Sequence, residues 1–283
     1  MKFENIKVYN FENALRGMRN PKNSWHLSDS KFGYATLETP SSLLYEVAEA
    51  WANDWASMLD YVDERDKKAE YESRVNWLIE NGAREVASGV CEFNLIGPKD
   101  MRLAKALIAG GSEHRKFLRQ IFVTVDITAP LFWWKEFDTY KVGTTANSTS
   151  TMHKLTSKPI TLDCFEIDDY VSELSIGNPD EGIVVNDFTI QLIDYLEDLR
   201  QKYIETNDVR YWKELVRWLP EGWLQTRTVT MNYENVLSMV HQREHHKQTE
   251  WSGTEDKIAT PTFIKFAHSL PYANDFIFIN KQS

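Results

Sequence analysis

Apolar positions along the chain recur with a helical period in several segments, and these segments predict most of the helices. In residues 39–82 the apolar side chains keep helical spacing, Ser41 or Ser42 can cap the start, and Gly82 can end the second piece. The charged run near residues 63–70 is either a solvated helix face or a short break in the helix. The stretch "GPKDMRLAKALIAGG" predicts another helix, with Pro98 in its first turn. Further helices are predicted near residues 187–206, 208–218 and 232–251, with a shorter terminal helix at "PTFIKFAHSL".

Strands are predicted where β-branched residues dominate or alternate with polar ones. The segments "CEFNLIG" and "LRQIFVTVDI" have this pattern, and "KPITLDCFEI" is strand-like. The first 40 residues mix turn signals with short apolar runs, which indicates loops with short strands. The segment "LFWWKEFDTYK" fits a helix slightly better than a strand, whereas "VGTTANSTST" predicts a loop.

These elements together predict an α+β fold in which a small antiparallel sheet is surrounded by long helices. The pattern lacks the alternating series of strands and helices that builds a doubly wound sheet. With 283 residues the chain is long enough for one large domain or two small ones. We predict a single domain over residues 1–283, with a helical N-terminal part at about 40–85 and a helical C-terminal part at about 187–283.

Composition and charge narrow the possible partners and the setting. The formal net charge of -10 argues against binding of duplex nucleic acid, although a local basic pocket can still hold a small anion. The only cysteines are Cys91 and Cys164, which fits a reducing, cytoplasmic location. The first 20 residues lack the apolar run of a signal peptide, and no stretch of about 18 apolar residues predicts a membrane span.

The segment "HQREH", residues 241–245, matches the inverted zinc-peptidase pattern H-x-x-E-H. His241 and His245 could reach one metal from one helix face, and Glu244 could activate a water. A third ligand would have to follow, and only Glu250 and Glu255 are glutamates in the remaining residues. The alternative is an exposed polar helix face that binds no metal.

Polar groups suited to anion or nucleotide binding lie in three separate segments. One is "GSEHRKFLRQ", the second is "KVGTTANSTSTMHK", and the third carries Arg227, Asn232 and Arg243. Arginine holds phosphate oxygens, and hydroxyls and amides bind polar edges of a base. Glu136 and Asp138 form a further pair of carboxylates that could act as acid and base, or that could simply be surface charge.

The order of these segments resembles that of flavin-dependent thymidylate synthases. Residues 99–155 and 215–255 carry the likeness, which includes the strand "QIFVTVDI", the entry "APLF" and the closing run that begins at "LPEGW". In that closing run Leu219, Pro220, Thr230, Asn232, Arg243 and Trp251 occupy the family's places.

The chain departs from the family at the motif that binds its ligands. The family's Arg-His-Arg falls on Thr139, Tyr140 and Lys141, so only one positive charge is kept. The glutamine before that motif falls on Glu136, and the nucleotide-binding arginine of the C-terminal helix falls on Glu234. In the following loop the serine falls on Thr149 and the last arginine on Thr151, with Ser150 between them.

The resemblance implies a homotetramer that holds FAD and methylates deoxyuridine monophosphate (dUMP), with NADPH and methylene-tetrahydrofolate as co-substrates. It implies cofactor contacts at Thr139, Tyr140, Lys141 and Asn232. It implies contacts with the pyrimidine nucleotide at Glu136, Thr149, Ser150, Thr151 and Arg243. It assigns no catalytic residue in this sequence.

Two other hypotheses stay open at the level of sequence. The lost arginines favour a binding or assembly protein that has kept the fold without the chemistry. The "HQREH" pattern leaves the zinc peptidase as the third hypothesis. Lys135, Lys154, Arg115, Arg119 and Arg227 could replace the missing phosphate donors if the fold brings them to the same place.

Overall fold

The computed structural model confirms the α+β class, with small antiparallel sheets and several helices. It describes residues 1–36, 42–58, 63–150, 154–167, 185–252 and 262–279. Its strands are β1 Lys2–Tyr9, β2 Lys31–Thr36, β3 Ala83–Ala87, β4 Val90–Leu95, β5 Phe122–Pro130, β6 Thr145–Ser148 and β7 Leu224–Asn232. Its α-helices are α1 Phe11–Arg19, α2 Ser42–Ala56, α3 Glu64–Gly82, α4 Pro98–Ala109, α5 Leu131–Phe137, α6 Val185–Thr206, α7 Val209–Trp218, α8 Tyr233–Arg243, α9 Thr249–Ser252, α10 Phe263–His268 and α11 Ala273–Phe276.

The chain divides into two compact units, each assembled from three segments. The first unit comprises Met1–Ile6, Thr124–Thr230 and Arg243–Lys265. The second comprises Lys7–Val123, Met231–Gln242 and Phe266–Ser283. The sequence suggests that residues 1–283 form a single domain, and this stays a prediction.

The first unit carries most of a four-stranded sheet with the strand order β1-β5-β7-β6. On β5, Val125, Ile127 and Ala129 are fully buried, because the alternation of the strand directs them all to one face. Thr124, Asp126 and Thr128 lie on the other face and are half-buried. Hydrogen bonds that the side chains of Thr228 and Asn5 donate to Asp126 hold the pKa of that carboxyl below its ordinary value.

The second unit builds its core from helices α2 and α3 against the antiparallel sheet β2-β4-β3. As the sequence predicted, α3 ends at Gly82. A Cβ at this position would lie 2.5 Å from the Tyr272 hydroxyl and 2.9 Å from the Asn94 carbonyl oxygen. Glycine is therefore required here by close packing.

Other predicted element starts and ends also agree with the structure. Helix α4 begins at Pro98, and α5 forms from the "LFWWKEF" run that fits a helix slightly better than a strand. Asp63 caps α3 by accepting a hydrogen bond from the backbone N–H of Arg65. The charged run near residue 63 therefore contains a helix start.

The segment "VGTTANSTST" was expected to be a loop, and this prediction is wrong for Thr145–Ser148. These four residues form strand β6, which pairs antiparallel with β7 from Thr230 to Arg227. All four side chains are exposed, so the strand lacks the apolar alternation that reveals a strand in a sequence. Backbone pairing with β7 determines its conformation.

The expected strand around "KPITLDCFEI" is also wrong. The structure has a short 3-10 helix at Leu162–Cys164 and a single bridge between Phe165 and Trp223. The apolar side chains of this segment, including Ile160, Cys164 and Phe165, pack into a core with residues of α6 and α7. Burial therefore explains its hydrophobicity without sheet pairing.

Two predictions near the chain ends need correction. The helix expected over residues 232–251 ends at Arg243, and a separate short helix, Thr249–Ser252, follows. The turn between them lets Trp251 reach full burial against Trp133. In the first 40 residues, the nine-residue helix Phe11–Arg19 was missed, because its short apolar face resembles the apolar runs of loops.

None of the helices in the described ranges has the length and apolar content that crossing a membrane requires.

We expect Tyr272→Phe to destabilise the protein by about 1–3 kcal/mol, because it removes a buried hydroxyl that serves two backbone groups. The Tyr272 hydroxyl donates to the Asn94 carbonyl at 2.6 Å and accepts from the Ile96 N–H at 3.2 Å. Urea unfolding measures the loss. The control is Tyr34→Phe, at an exposed tyrosine that should tolerate the change; equal losses in both variants would contradict the prediction.

Stability below pH 5 should depend on Glu197. Hydrogen bonds from Arg200 lower the pKa of Glu197 from 4.5 to about 2. A lowered folded-state pKa stabilises the protein above about pH 4.5, and this contribution is lost as the pH falls toward 2. The urea midpoints of the natural protein and Glu197→Gln should therefore differ at pH 7 and converge only as the pH approaches 2. Glu205→Gln, at an exposed position on the same helix, should show no such convergence.

Candidate functional site

Helix α5 holds the first half of the predicted site against strand β7. The backbone N–H groups of Leu131 and Phe132 donate to the carbonyls of Trp223 and Glu221 at 3.1 Å each. The indole N–H of Trp134 donates to the Gln225 carbonyl at 3.0 Å. These bonds fix where the exposed side of the helix points.

Buried tryptophans provide the support beneath the site. Trp133 stacks on Trp251 with ring centroids 4.5 Å apart, and it meets Trp134 edge-on at 4.9 Å. All three rings are buried. Such contacts between large aromatic rings make this part of the first unit rigid.

Arg243 joins the two segments that the sequence singled out. Its Nε donates to the Tyr140 hydroxyl at 2.8 Å, and its Nη2 donates to the Glu136 carboxylate at 2.7 Å. The guanidinium also lies over the Trp251 ring, 5.4 Å from the centroid. The Arg243 side chain is only 16% exposed, while Glu136 is 39% exposed. We call Glu136, Tyr140 and Arg243 the Arg243 cluster.

Arg227 makes contacts of the same kind at the C-terminal end of helix α5. It donates from Nη1 to Asp138 at 2.8 Å and from Nε to the Gln225 side chain at 3.0 Å. Its guanidinium lies 4.2 Å from the centroid of the Trp134 ring. Both arginines are thus paired with a carboxylate and supported by an aromatic face.

Strand β6 pairs with β7 and so places the hydroxyl-rich residues that follow it, Thr149 and Ser150, next to β7. Ser148 lies opposite Arg227, and the backbone N–H of Thr149 donates to the Thr226 carbonyl at 2.9 Å. The Gln225 side chain donates to the Thr149 carbonyl at 3.1 Å. The Ser150 carbonyl accepts from the Lys154 N–H at 2.9 Å. Thr151, the remaining predicted residue of this loop, lies outside the described residues.

Residues 139–141 do not form a cradle for the diphosphate of FAD within one chain. The Thr139 hydroxyl donates to the Glu136 carbonyl of its own helix end at 2.7 Å. The Tyr140 hydroxyl already accepts from Arg243. Lys141 is exposed and is the only cation of the three. A diphosphate needs several converging donors, which residues 139–141 of one chain do not supply, and their predicted contacts with a cofactor stay a prediction.

Asn232 belongs to the second unit and caps helix α8. Its side-chain oxygen accepts from the Asn235 N–H at 3.0 Å, and its own N–H donates to the Asn235 side chain at 3.1 Å. This is the reciprocal arrangement of a capping box. The structure thus gives Asn232 a structural role, and its predicted contact with a cofactor stays a prediction.

The replacement phosphate donors proposed from the sequence have other partners. Arg115 binds both oxygens of Glu234, at 3.1 and 2.8 Å, so the acidic residue at the family's arginine position holds an arginine from elsewhere in the second unit. Lys135 pairs with Glu221 at 2.7 Å. Arg119 donates weakly to the Ser112 carbonyl at 3.4 Å. Of the five candidates, Arg227 is the one that binds Asp138 after helix α5 and pairs with Ser148 of strand β6.

The helical geometry that the zinc-peptidase pattern needs is not present. Helix α8 ends at Arg243, so His241 and His245 do not lie one turn apart on one helix. His245 is 93% exposed and lies 3.8 Å from Glu244. Within the part of the chain that the structure describes, no group of three or more His, Cys, Asp or Glu side chains could hold a metal.

Solved structures whose backbone path is similar include thymidylate synthases and a methylase. One is the flavin-dependent thymidylate synthase ThyX of Helicobacter pylori complexed with FAD and dUMP, with 14% identity, coverage of 87% of this chain and 95% of the other, and a TM-score of 0.42. A second structure of that enzyme with FAD and dUMP gives 13% identity, coverage of 89% and 100%, and a TM-score of 0.43.

The UMP/dUMP methylase PolB of Streptomyces cacaoi, bound with 5-Br UMP, gives 13% identity, coverage of 63% of this chain and 84% of the other, and a TM-score of 0.42. No family model matches the chain, and no curated protein matches it by sequence. The two thymidylate synthase structures are named for the family that the sequence resembles. At these scores and identities, the similarities carry no weight for the activity of this chain.

Sequence reasoning singled out the charged members of this arrangement, but it gave no role to Gln225 and placed Trp251 only through the resemblance. Gln225 bridges Arg227 and the Thr149 carbonyl, and Trp251 lies beneath Arg243. The alternation of Gln225 with Arg227 on one strand could have indicated that both face the same element. No comparable local signal indicates Trp251 as part of the site, because the chain turns twice before it.

Replacing Asn232 tests whether its side chain is a helix cap. We expect Asn232→Ala to lower stability by about 1 kcal/mol, whereas Asn232→Asp should retain most of it because aspartate is an equally good cap. Urea unfolding without added ligand gives both values. An alanine variant as stable as the natural protein would show that the cap contributes nothing.

Proposed function

We propose that this protein is flavin-dependent thymidylate synthase-like and binds a pyrimidine deoxynucleotide, dUMP, beside the Arg243 cluster. The observation that supports this is the meeting of two segments far apart in sequence. Arg243 contacts Glu136 and Tyr140, and Arg227 contacts Asp138, so both arginines meet the C-terminal part of helix α5 or the residues just after it. Thr149, which carries a hydroxyl, lies beside Thr226 and Gln225 of strand β7. These are the groups that bind phosphates and base edges.

Nucleotide binding at this place requires an exchange of anions. Glu136 now holds the Arg243 guanidinium, and its carboxylate is the more exposed partner. A phosphate carries more negative charge than a carboxylate and can accept the same donors. The nucleotide therefore displaces Glu136, and the cost of that displacement weakens the affinity. Thr149 and Ser150, and Thr151 beyond the described residues, contribute hydroxyls to the same ligand in this proposal.

Methylation with FAD, NADPH and methylene-tetrahydrofolate is the finer part of the proposal and rests on the sequence resemblance. Because residues 139–141 do not fit a diphosphate within one chain, no chemical step follows from their geometry. In a homotetramer like that of the family, side chains of other subunits would also contact FAD. The homotetramer and a cytoplasmic location are likewise proposals.

The second candidate function is a binding or assembly protein without catalysis. Its support is the same pair of contacts: each arginine near the predicted site already has a carboxylate partner, Glu136 or Asp138. A protein that has no anionic ligand keeps such pairs as internal structure.

The exchange of Glu136 for phosphate can be tested with dUMP. We expect Glu136→Gln to bind dUMP about fivefold to tenfold more tightly than the natural protein, because one competing charge is removed. Arg243→Lys should bind it more weakly, since lysine cannot serve two acceptors as arginine does. Isothermal titration measures the three affinities, and Lys135→Gln is the matched control, because Lys135 pairs with Glu221.

Absence of dUMP binding in both the natural protein and Glu136→Gln would refute the proposed function and favour the assembly protein. An absorption spectrum of the purified protein then tests the flavin separately. A flavin band supports the full resemblance, whereas dUMP binding by a colourless protein that takes up no FAD would limit the function to nucleotide binding.

A further inference from the structure

A second concave site lies in the first unit, away from the Arg243 cluster. It is a cavity of about 760 Å³, which is within the range of small-molecule sites. None of its lining residues belongs to the cluster. They are Met1, Lys2, Glu4, Thr128, Lys158, Asp163, Cys164, Phe165, Glu166, Ile167, Trp223, Leu224 and Thr226.

Strand β7 separates the cavity from the cluster. Successive side chains of a strand point to opposite faces of the sheet. The Gln225 side chain binds Arg227, whose guanidinium lies over the Trp134 ring of helix α5. Thr226, between them, lines the cavity. A ligand in the cavity would therefore lie on the face of the sheet opposite to the groups that serve dUMP in the proposed function.

The walls of the cavity are held in place by backbone contacts. Phe165 forms a bridge with Trp223, and the N–H of Glu166 donates to the Gly222 carbonyl at 2.8 Å. The rings of Phe165 and Trp223 meet edge-on with centroids 5.6 Å apart. Both rings are buried, so this aromatic wall exists before any ligand arrives.

The polar groups of the cavity favour a neutral ligand rich in hydrogen-bonding groups. The hydroxyls of Thr128 and Thr226 share a hydrogen bond of 2.7 Å on the sheet side. Glu166 is only 6% exposed and accepts from the Met1 amino group at 3.0 Å. Glu4, Asp163, Lys2 and Lys158 also line the cavity, so both signs of charge are present.

We propose that this cavity binds a nucleoside. Phe165 and Trp223 give the cavity an apolar wall against which a base can pack, and carboxylates accept hydrogen bonds from ribose hydroxyls. The threonine pair offers a donor and an acceptor to the edge of the base. The three carboxylates disfavour a highly charged phosphate, and the five charged side chains disfavour a purely apolar ligand. This site does not depend on the proposed function, because it shares no residue with the Arg243 cluster.

The test is titration of the full chain with uridine and with adenosine, followed by saturation-transfer NMR and calorimetry. We expect at least one of them to bind, and Thr226→Val to weaken it about fivefold to tenfold through loss of one hydrogen bond. The matched control is Thr228→Val, which makes the same change on the same strand and face but outside the lining residues. The 2′,3′-dideoxy analogue should also bind more weakly, because it lacks the hydroxyls that the carboxylates accept.

Three results would overturn the proposal. The first is that neither nucleoside binds the natural protein at millimolar concentration. The second is that Thr226→Val and Thr228→Val weaken binding equally. The third is that Glu136→Gln changes the affinity for uridine more than Thr226→Val does. The last result would place the ligand at the Arg243 cluster, which supports the proposed function while removing the second site. Circular dichroism of each variant confirms that it is folded before its affinity is compared.

Discussion

The alternation of side chains along strand β7 is the constraint on which the rest of the first unit depends. On one face, the Gln225 side chain binds Arg227, whose guanidinium lies over Trp134 of helix α5. On the opposite face, Thr226 and Thr228 form hydrogen bonds with side chains of β5. Successive side chains of a strand point to opposite faces of the sheet. A shift of register by one residue would therefore move every side chain of β7 to the other face. The pairing with β6 fixes the register.

Two half-buried arginines of the first unit have the same kind of surroundings. Arg227 and Arg243 each combine a carboxylate partner with an aromatic ring beneath the guanidinium. Such pairs are costly to break from one side only, because the remaining charge loses its partner in a poorly solvated place. An incoming anion can replace the carboxylate without that cost, whereas a neutral ligand cannot. Electrostatics therefore restricts what can bind beside the Arg243 cluster.

Local patterns in the sequence were sufficient for elements that bury one face. The helices that end at Gly82 and begin at Pro98 have an apolar period and a terminal signal, and both bounds agree with the structure. Strand β6 was missed because all its side chains are exposed, and the segment 162–164 was misread because its apolar residues pack against helices. In both cases the deciding partner is far away in the sequence.

The sequence by itself determined the α+β class and indicated two segments rich in polar groups, one that begins in helix α5 and one that ends at Arg243. These follow from composition, periodicity and residue order. Only the tertiary structure decided that Glu136 is the partner of Arg243, that Asn232 caps a helix, and which residues line the cavity beside Trp223. Ion pairs and cavities depend on distances between segments, and no local sequence pattern specifies those distances.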